Sequence, residues 1–443
     1  MSSTYESGSL SLTATVAMGT GVMIGAGIFA LTGQVAEYAG DLFPLAFLLA
    51  AIISGFSAYT YIRVTSKYPS AGGIAMILEK AYGNTMMTGA CALLMAFSMI
   101  INESLVARTF GTYTLQLFRV DNPAWQVPVL AVGLIVLAFL VNIAGNKLIG
   151  AISKITAAIK IFGILGFALA ALWAAGWSFQ PAAGGLADNT SATGFLAGVA
   201  LAILAYKGFT TITNSGGEVE NPHKNVGRAI MISLVICVVV YMLVALGVGS
   251  TLTVDQIVKA KDYSLAEASR PALGDYGVWF TVAIAIVATS SGVLASIFAV
   301  SRMLAMLTDM NIIPHRHFGM PGDIQKHTLV YTVVTAAFLA AFFDLSRIAS
   351  LGAIFYLVMD IAIHWGVLRH LREDVQAKAW VLMSAIAMDA AALVAFLIIK
   401  GAADPMIVVI AVAAIAAIFV FERFYLARRR SVEPAHETGA HGH

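Results

Sequence analysis

Stretches of roughly twenty predominantly apolar residues recur along the chain, near 14–38, 42–62, 86–107, 125–143, 148–176, 193–216, 227–249, 277–300, 328–344, 347–368, 378–399 and 405–425. At about 1.5 Å of rise per residue, each is long enough to cross a hydrocarbon layer of about 30 Å as a helix. Composition agrees: 59% of the 443 residues are apolar and 11% are charged, against about a quarter charged in a water-soluble domain. The expected fold class is therefore all-α integral membrane, with twelve transmembrane helices. The ninth and tenth runs are separated only by Phe343-Asp344-Leu345-Ser346, so eleven and twelve spans are both open. No soluble domain or long linker interrupts the pattern, and function must lie within the bundle.

The formal charge of +2 is too mild for a nucleic-acid binder. Placing the N-terminus inside puts Arg63, Lys67, Lys80, Lys147, Lys154, Lys224, Arg228, Arg302, Arg316, Lys326, Arg369, Arg372, Lys378, Arg423 and Arg428, Arg429 and Arg430 on the cytoplasmic side. Arg108, Arg119, Lys259, Lys261, Arg270, Arg347 and Lys400 fall opposite. This excess predicts both termini in the cytoplasm of a cell whose inner membrane holds the protein. Cys91 and Cys237 each lie inside an apolar run, which implies neither a disulfide framework nor a thiolate metal site. The N-terminus has no basic region of the kind that precedes a cleaved signal, and the first apolar run reads as retained. His436, His441 and His443 in the last residues read as a disordered tail, with a weak metal-binding tail the lesser alternative.

Two spans break the apolar pattern. In the first, Gly19, Gly21, Gly25 and Gly27 are crowded into GTGVMIGAGIF. Such a run either packs closely against another helix or unwinds near Ile24–Gly27, exposing N–H groups for a carboxylate and carbonyls for an ammonium. In the sixth, AYKGF is followed by Thr210, Thr211, Thr213, Asn214, Ser215, Gly216 and Gly217. Polar backbone at that depth is tolerated only where it is buried in protein or lines a cavity. Interruptions at the first and sixth positions are the arrangement expected when a five-helix unit is repeated in inverted orientation, with a binding site at the midplane.

Four segments carry a family resemblance: GVMIGAGIF in the first span, SKYPSAGGIAMILEKAYG after the second, AYKGFTTITNSGGEVENPHKNVGRAI through and beyond the sixth, and SRMLAMLTDMNIIP at the end of the eighth. In these the chain resembles the amino acid–polyamine–organocation transporter superfamily, specifically bacterial amino acid permeases related to the cationic amino acid transporters. The resemblance implies a LeuT-like 5+5 inverted repeat with broken helices 1 and 6, plus two C-terminal helices. Its segments are a tail at 1–13, a first repeat at 14–176, a second at 193–368, two further helices at 378–425 and a tail at 426–443. By position, Met23, Gly25, Ala26 and Gly27 would meet substrate through backbone groups, and Ala205, Tyr206 and Gly208 would supply the second set, with Phe209 as a gate or packing residue. Tyr82, Glu218, Asn221, Pro222 and Arg302 are expected to hold cytoplasmic loops. Three positions depart from the family pattern: Arg63 and Thr210 stand where acids are usual, and Lys207 where an apolar residue is usual. A site that lost an acid and gained a base suits a polycation poorly.

Two lysines lie within spans. Lys160 is about 12 residues past Leu148, some 18 Å into a helix at 1.5 Å per residue. The resemblance implies that its amine replaces the sodium of ion-coupled relatives, with Thr289, Ser290 and Ser291 as neighbours. An amine deprived of water at that depth can gain and lose a proton, as coupling to a proton gradient requires; a permanently charged structural cation is the other reading. For Lys207 three accounts stay open: an ion pair, best with Glu103; a contact to an acidic group of a substrate; or a solvated role. Asp360 and His364, four apart, share a helical face and read as a structural pair or a proton relay. No His-Glu-x-x-His, Gly-x-Ser-x-Gly or phosphate loop supports an enzyme. The leading expectation is thus a proton-coupled amino acid transporter without cofactor. A potassium-like cation carrier of the same fold and a transport-inactive sensor are the alternatives.

Overall fold

The computed structural model describes residues 8–70, 72–118, 124–144, 146–178, 191–310, 312 and 324–432. The histidine-bearing tail lies outside them. Long helices dominate: α1 (Leu12–Ala39), α2 (Phe43–Lys67), α4 (Met86–Leu115), α5 (Gln126–Ala144), α6 (Asn146–Ala174), α7 (Ala192–Tyr206) continued by α8 (Phe209–Asn214), α9 (Pro222–Thr251), α12 (Arg270–Asp309), α13 (Ile324–Phe342), α14 (Leu345–Gly366), α15 (Ala379–Ala403) and α16 (Pro405–Val432). Three short helices, α3 (Gly73–Tyr82), α10 (Val254–Lys259) and α11 (Ser264–Ala268), lie in connections. Ten helical stretches among the described residues are long and apolar enough to cross a membrane. One of these, Gly27–Lys67, runs through the end of α1 and all of α2, and Leu12–Gly25 and Lys326–Phe342 are shorter apolar stretches. The chain is a multi-pass membrane protein.

Local chemistry sets the helix ends. The Ser11 and Ser191 side chains accept from Ala14 N and Gly194 N at the starts of α1 and α7, satisfying donors that a helix N-terminus leaves free. Pro44 and Pro222 stand at the first turns of α2 and α9, where no N–H is needed. Between the ninth and tenth apolar runs, the Asp344 carboxylate accepts from Arg347 N at 2.8 Å. That cap starts α14 as a helix separate from α13, so the short Phe343–Ser346 interval is a true boundary. Gly274 (φ 58°) kinks α12 near its start.

The surface separates lipid-facing from central helices. Val129, Val136, Leu137 and Leu140 of α5 and Val409, Val412, Phe421 and Phe424 of α16 are exposed, an apolar face that only lipid accommodates. By contrast α4 and α7 are almost wholly buried. The dominant packings are α1 on α7, α2 on α9, α4 on α12 and α14, and α6 on α12.

The expected break in the first span is not present: α1 is helical from Leu12 to Ala39, across Gly25 and Gly27. The glycines serve close approach instead. A Cβ on Gly27 would lie 2.6 Å from Ala205 Cβ, and one on Gly25 would lie 3.0 Å from the Ala288 carbonyl oxygen. Gly27→Val is accordingly expected to destabilise the fold by about 1–3 kcal/mol, the usual range for overpacking, and to lower the thermal midpoint of purified protein. Gly55→Ala, whose Cβ meets open space, should leave that midpoint in place. The break in the sixth span is present: α7 stops at Tyr206, Lys207 and Gly208 form a turn, and α8 begins at Phe209.

Candidate functional site

At the α7–α8 turn the backbone tightens. Thr210 N donates to Lys207 O at 3.0 Å and Thr211 N to Gly208 O at 3.1 Å, the i to i+3 pattern of a 3₁₀ turn. Gly208 is required there because a Cβ would fall 2.6 Å from Met23 Cγ and 2.9 Å from Met23 N. The turn borders a small cavity with free space of about 20 Å³, lined by Val22 and Met23 of α1, Met99 and Asn102 of α4, Ser296 of α12, and Leu204, Ala205, Lys207, Gly208, Thr210 and Thr211. That is room for about one water, so a substrate would enter only as the surrounding helices move apart.

Lys207 supplies the only charged side chain of this lining. It is buried, and its Nζ donates to Ser98 O at 2.9 Å and Ser98 Oγ at 3.0 Å. The Tyr356 ring faces the same nitrogen, 5.8 Å from its centroid. Among the described residues no ion pair within 4.0 Å joins Lys207 to Glu103, the first of the three accounts open for this lysine. Ser98 stands five residues before Glu103 on α4, about 7.5 Å along the axis, and captures the amine first. Glu103 is wholly buried, accepts from Ser296 Oγ at 3.2 Å through Oε1, and has no partner on Oε2.

Tyr241 of α9 bridges the two halves. Its hydroxyl approaches Met23 O at 2.6 Å and Ala205 O at 3.2 Å, so two carbonyls expected to face a substrate are tied to a side chain. Tyr206 packs at a tilt against Tyr241 with ring centroids 5.0 Å apart and its hydroxyl unpartnered. Phe209 packs edge-on against Tyr61 of α2 at 5.3 Å. Of the predicted site residues, Met23, Ala205, Lys207 and Gly208 therefore line the cavity, while Gly25, Gly27, Tyr206 and Phe209 form the packing behind it. The side chain of Ala26 lies outside those described. Asn102, Ser296 and Tyr241 went unmarked, because isolated polar residues in apolar spans read as fillers until their neighbours are known.

Lys160 occupies a second position, on α6 against α1. Its buried Nζ donates to Gly21 O at 2.9 Å, and a Cβ on either Gly21 or Gly25 would come within 3.7 Å of it. Gly25 also abuts α12 at Ala288 and Gly292. The amine thus lies against α1 at Gly21 and Gly25. The hydroxyls of Thr289 and Ser291 donate to their own helix, at Ala285 O (2.6 Å) and Val287 O (2.8 Å), rather than forming a hydrogen bond with Lys160, and no hydrogen bond links Ser290 to it among the described residues.

Both rims of the bundle are latched. Where α2 ends, Arg63 donates to Val375 O and Gln376 O. Lys67 and Tyr68 both hold Asp374, and their hydrogen bonds, Lys67's first, keep its carboxyl below the ordinary carboxylate range. Tyr82 donates to Ala362 O at 2.6 Å, and Asn221 adopts a left-handed conformation before α9. The Arg302 side chain is outside those described. At the other rim Lys261 pairs with Glu37 at 2.8 Å, and its backbone lies where a Cβ on Gly33 would be, at 2.3 Å.

Comparison with known proteins bears on what this arrangement does. A family model described as amino acid permease matches residues 10–429. The inner membrane transport protein YbaT of Escherichia coli is 29% identical over 83% of this chain and 85% of its own length. Human cationic amino acid transporter 4 is 30% identical over 76% of this chain and 56% of its own. The vacuolar cationic amino acid transporter 2 of Arabidopsis thaliana is 27% identical over 82% and 60%.

Proposed function

Since the chain belongs to the amino acid permease family and is a transporter rather than an enzyme, we propose that it is a secondary transporter that takes up an amino acid or close relative by proton-coupled alternating access. The observation that carries this reading is the cavity at the α7–α8 turn, a small polar-and-apolar chamber formed by α1, α4, α7, α8 and α12. Twelve spans in two inverted five-helix units, α1 to α6 and α7 to α14, followed by α15 and α16, are in keeping with the close packing of first with sixth, second with seventh and third with eighth span. The basic residues favour a cytoplasmic placement of both termini in the cell's inner membrane.

The cavity's charge narrows the substrate. Its lining holds one lysine and no acid, so a cationic side chain would meet a like charge in a water-poor site, whereas a neutral or acidic one would not. Relatives named for cationic amino acids share the scaffold, and Lys207 and Thr210 set this chain apart from that preference. A potassium-like carrier is disfavoured on the same ground, since both intramembrane amines stand where a cation would have to bind. Uptake by proteoliposomes from a panel of labelled amino acids, with and without an inward acid gradient, tests the proposal. Saturable uptake of a neutral or acidic amino acid, stimulated by the gradient, is expected. Absence of saturable uptake across the panel would remove it, and arginine or lysine as best substrate would overturn the charge argument.

A further inference from the structure

Away from the cavity, a second polar cluster lies between α2, α14 and α15. Asp360, His364 and Asp389 are all fully buried. Asp360 accepts from Ser57 Oγ at 2.6 Å and from the Tyr61 hydroxyl at 2.5 Å, two donors that suit an ionised carboxylate. Asp389 is different: neither of its oxygens has a hydrogen-bond partner, and neither ring nitrogen of His364 has one. Yet His364 Nε2 lies 3.4 Å from Asp360 Oδ2 and 3.6 Å from Asp389 Oδ2. A single N–H cannot serve two carboxylates at once, and a carboxylate without a donor is expensive to bury as an anion. The three groups are short of one donor, and a proton supplies it.

We propose that Asp389 carries an exchangeable proton at a site separate from Lys160, with the ionised Asp360 and the His364 ring as its fixed neighbours. Asp360 is held as the anion by its two hydroxyl donors, so a neutral Asp389 keeps a second carboxylate charge out of the same buried cluster; withdrawing its proton leaves an anion with no donor and no exposure to water. The groups facing it are Tyr61 from α2 and Tyr356 from α14, while Tyr82 of α3 is engaged with Ala362 O and Lys207 lies beyond the Tyr356 ring. Among the described residues no lysine or arginine is hydrogen-bonded or ion-paired to either aspartate. The site also has a mechanical connection. Tyr61, which holds Asp360, packs on Phe209, the first residue of α8, so proton occupancy biases the segment that follows the α7–α8 turn. That last consequence rests on the transporter reading; the proton site does not.

Infrared difference spectroscopy of the full-length protein in liposomes, titrated from acid to alkaline pH, tests the site directly. The expected result is a protonated-carboxyl band that disappears on alkalinisation, is missing in Asp389→Asn, and persists in Glu103→Gln and Glu422→Gln, which remove other buried acids. His364→Gln should displace the band's midpoint by about one pH unit or more, a tenfold change in proton affinity. In gradient-free exchange, Asp389→Asn should displace the pH profile by a similar amount, whereas a purely structural role would lower folded yield without moving it. A spectrum unchanged by Asp389→Asn overturns the proposal. So does one equivalent of tightly bound metal per chain that Asp389→Asn releases, because the three side chains would then hold a cation. A titrating band in a protein that transports no amino acid leaves the proton site standing and removes the transport reading instead.

Discussion

Replacing Lys160 by methionine is expected to abolish accumulation driven by a pH gradient while substrate exchange without a gradient continues. One proton moved down a gradient of one pH unit releases about 1.4 kcal/mol, so a one-to-one carrier concentrates its substrate about tenfold per unit, and an uncoupled variant only equilibrates it. The geometry supports a proton that leaves. Among the described residues Lys160 Nζ has one hydrogen-bond acceptor, Gly21 O at 2.9 Å, for three ammonium donors, and a charged amine so supplied is costly inside a membrane. The acceptor belongs to α1, whose Gly25 and Gly27 bear against α12 and α7. Rocking α1 away from α6 would withdraw that carbonyl and leave the neutral amine as the cheaper form, linking proton release to conformation. The measurement is paired: labelled uptake against the imposed pH difference, and counterflow at uniform pH, on wild type and Lys160→Met in liposomes. Equal gradient response in both proteins would return Lys160 to the role of a static structural cation.

How legible these features were depended on the range of the interaction. The α7–α8 turn could be read from the sequence because the five polar residues and two glycines between Phe209 and Glu218 have no place on a lipid-facing helix. The first span could not be settled, since glycine serves both an unwound segment and a tight helix crossing, and the partner that decides between them, Ala205, is far away in the chain. Asp344 between two apolar runs is a local signal, a side chain that caps the helix starting one residue on, and the boundary it marks is real. Long-range partnerships escaped. Asp360 and His364 share a helical face by spacing alone, but Asp389 and Tyr61 join them only through the packing of α15 and α2. Glu103 was the natural mate for Lys207 on charge, and a neutral serine five residues earlier holds the amine because reach along α4 decides the contact.

Lys207→Met is expected to raise the KM for an amino acid with an acidic side chain by roughly 10- to 100-fold relative to a neutral one. That range corresponds to the 1.5–3 kcal/mol of a hydrogen bond to a charged group. Ser98 engages two of the three ammonium donors, and the amine lines the cavity with Asn102, Thr210 and Ser296, which leaves one donor for a ligand carboxylate. The Ser98 contacts also set the amine's position before a ligand arrives, so little conformational entropy remains to be lost on binding. Glu103→Gln serves as the comparison. Its carboxyl is held by Ser296 and does not touch Lys207, so selectivity between acidic and neutral substrates should change by less than about threefold, under 1 kcal/mol. The decisive readout is therefore a ratio, kcat/KM for acidic over neutral substrate, which a general loss of folded protein does not move. If Lys207→Met depresses both substrates equally and Glu103→Gln restores its folded yield, the two charges interact despite their separation, and the amine's role is to neutralise the interior of α4 rather than to choose what enters.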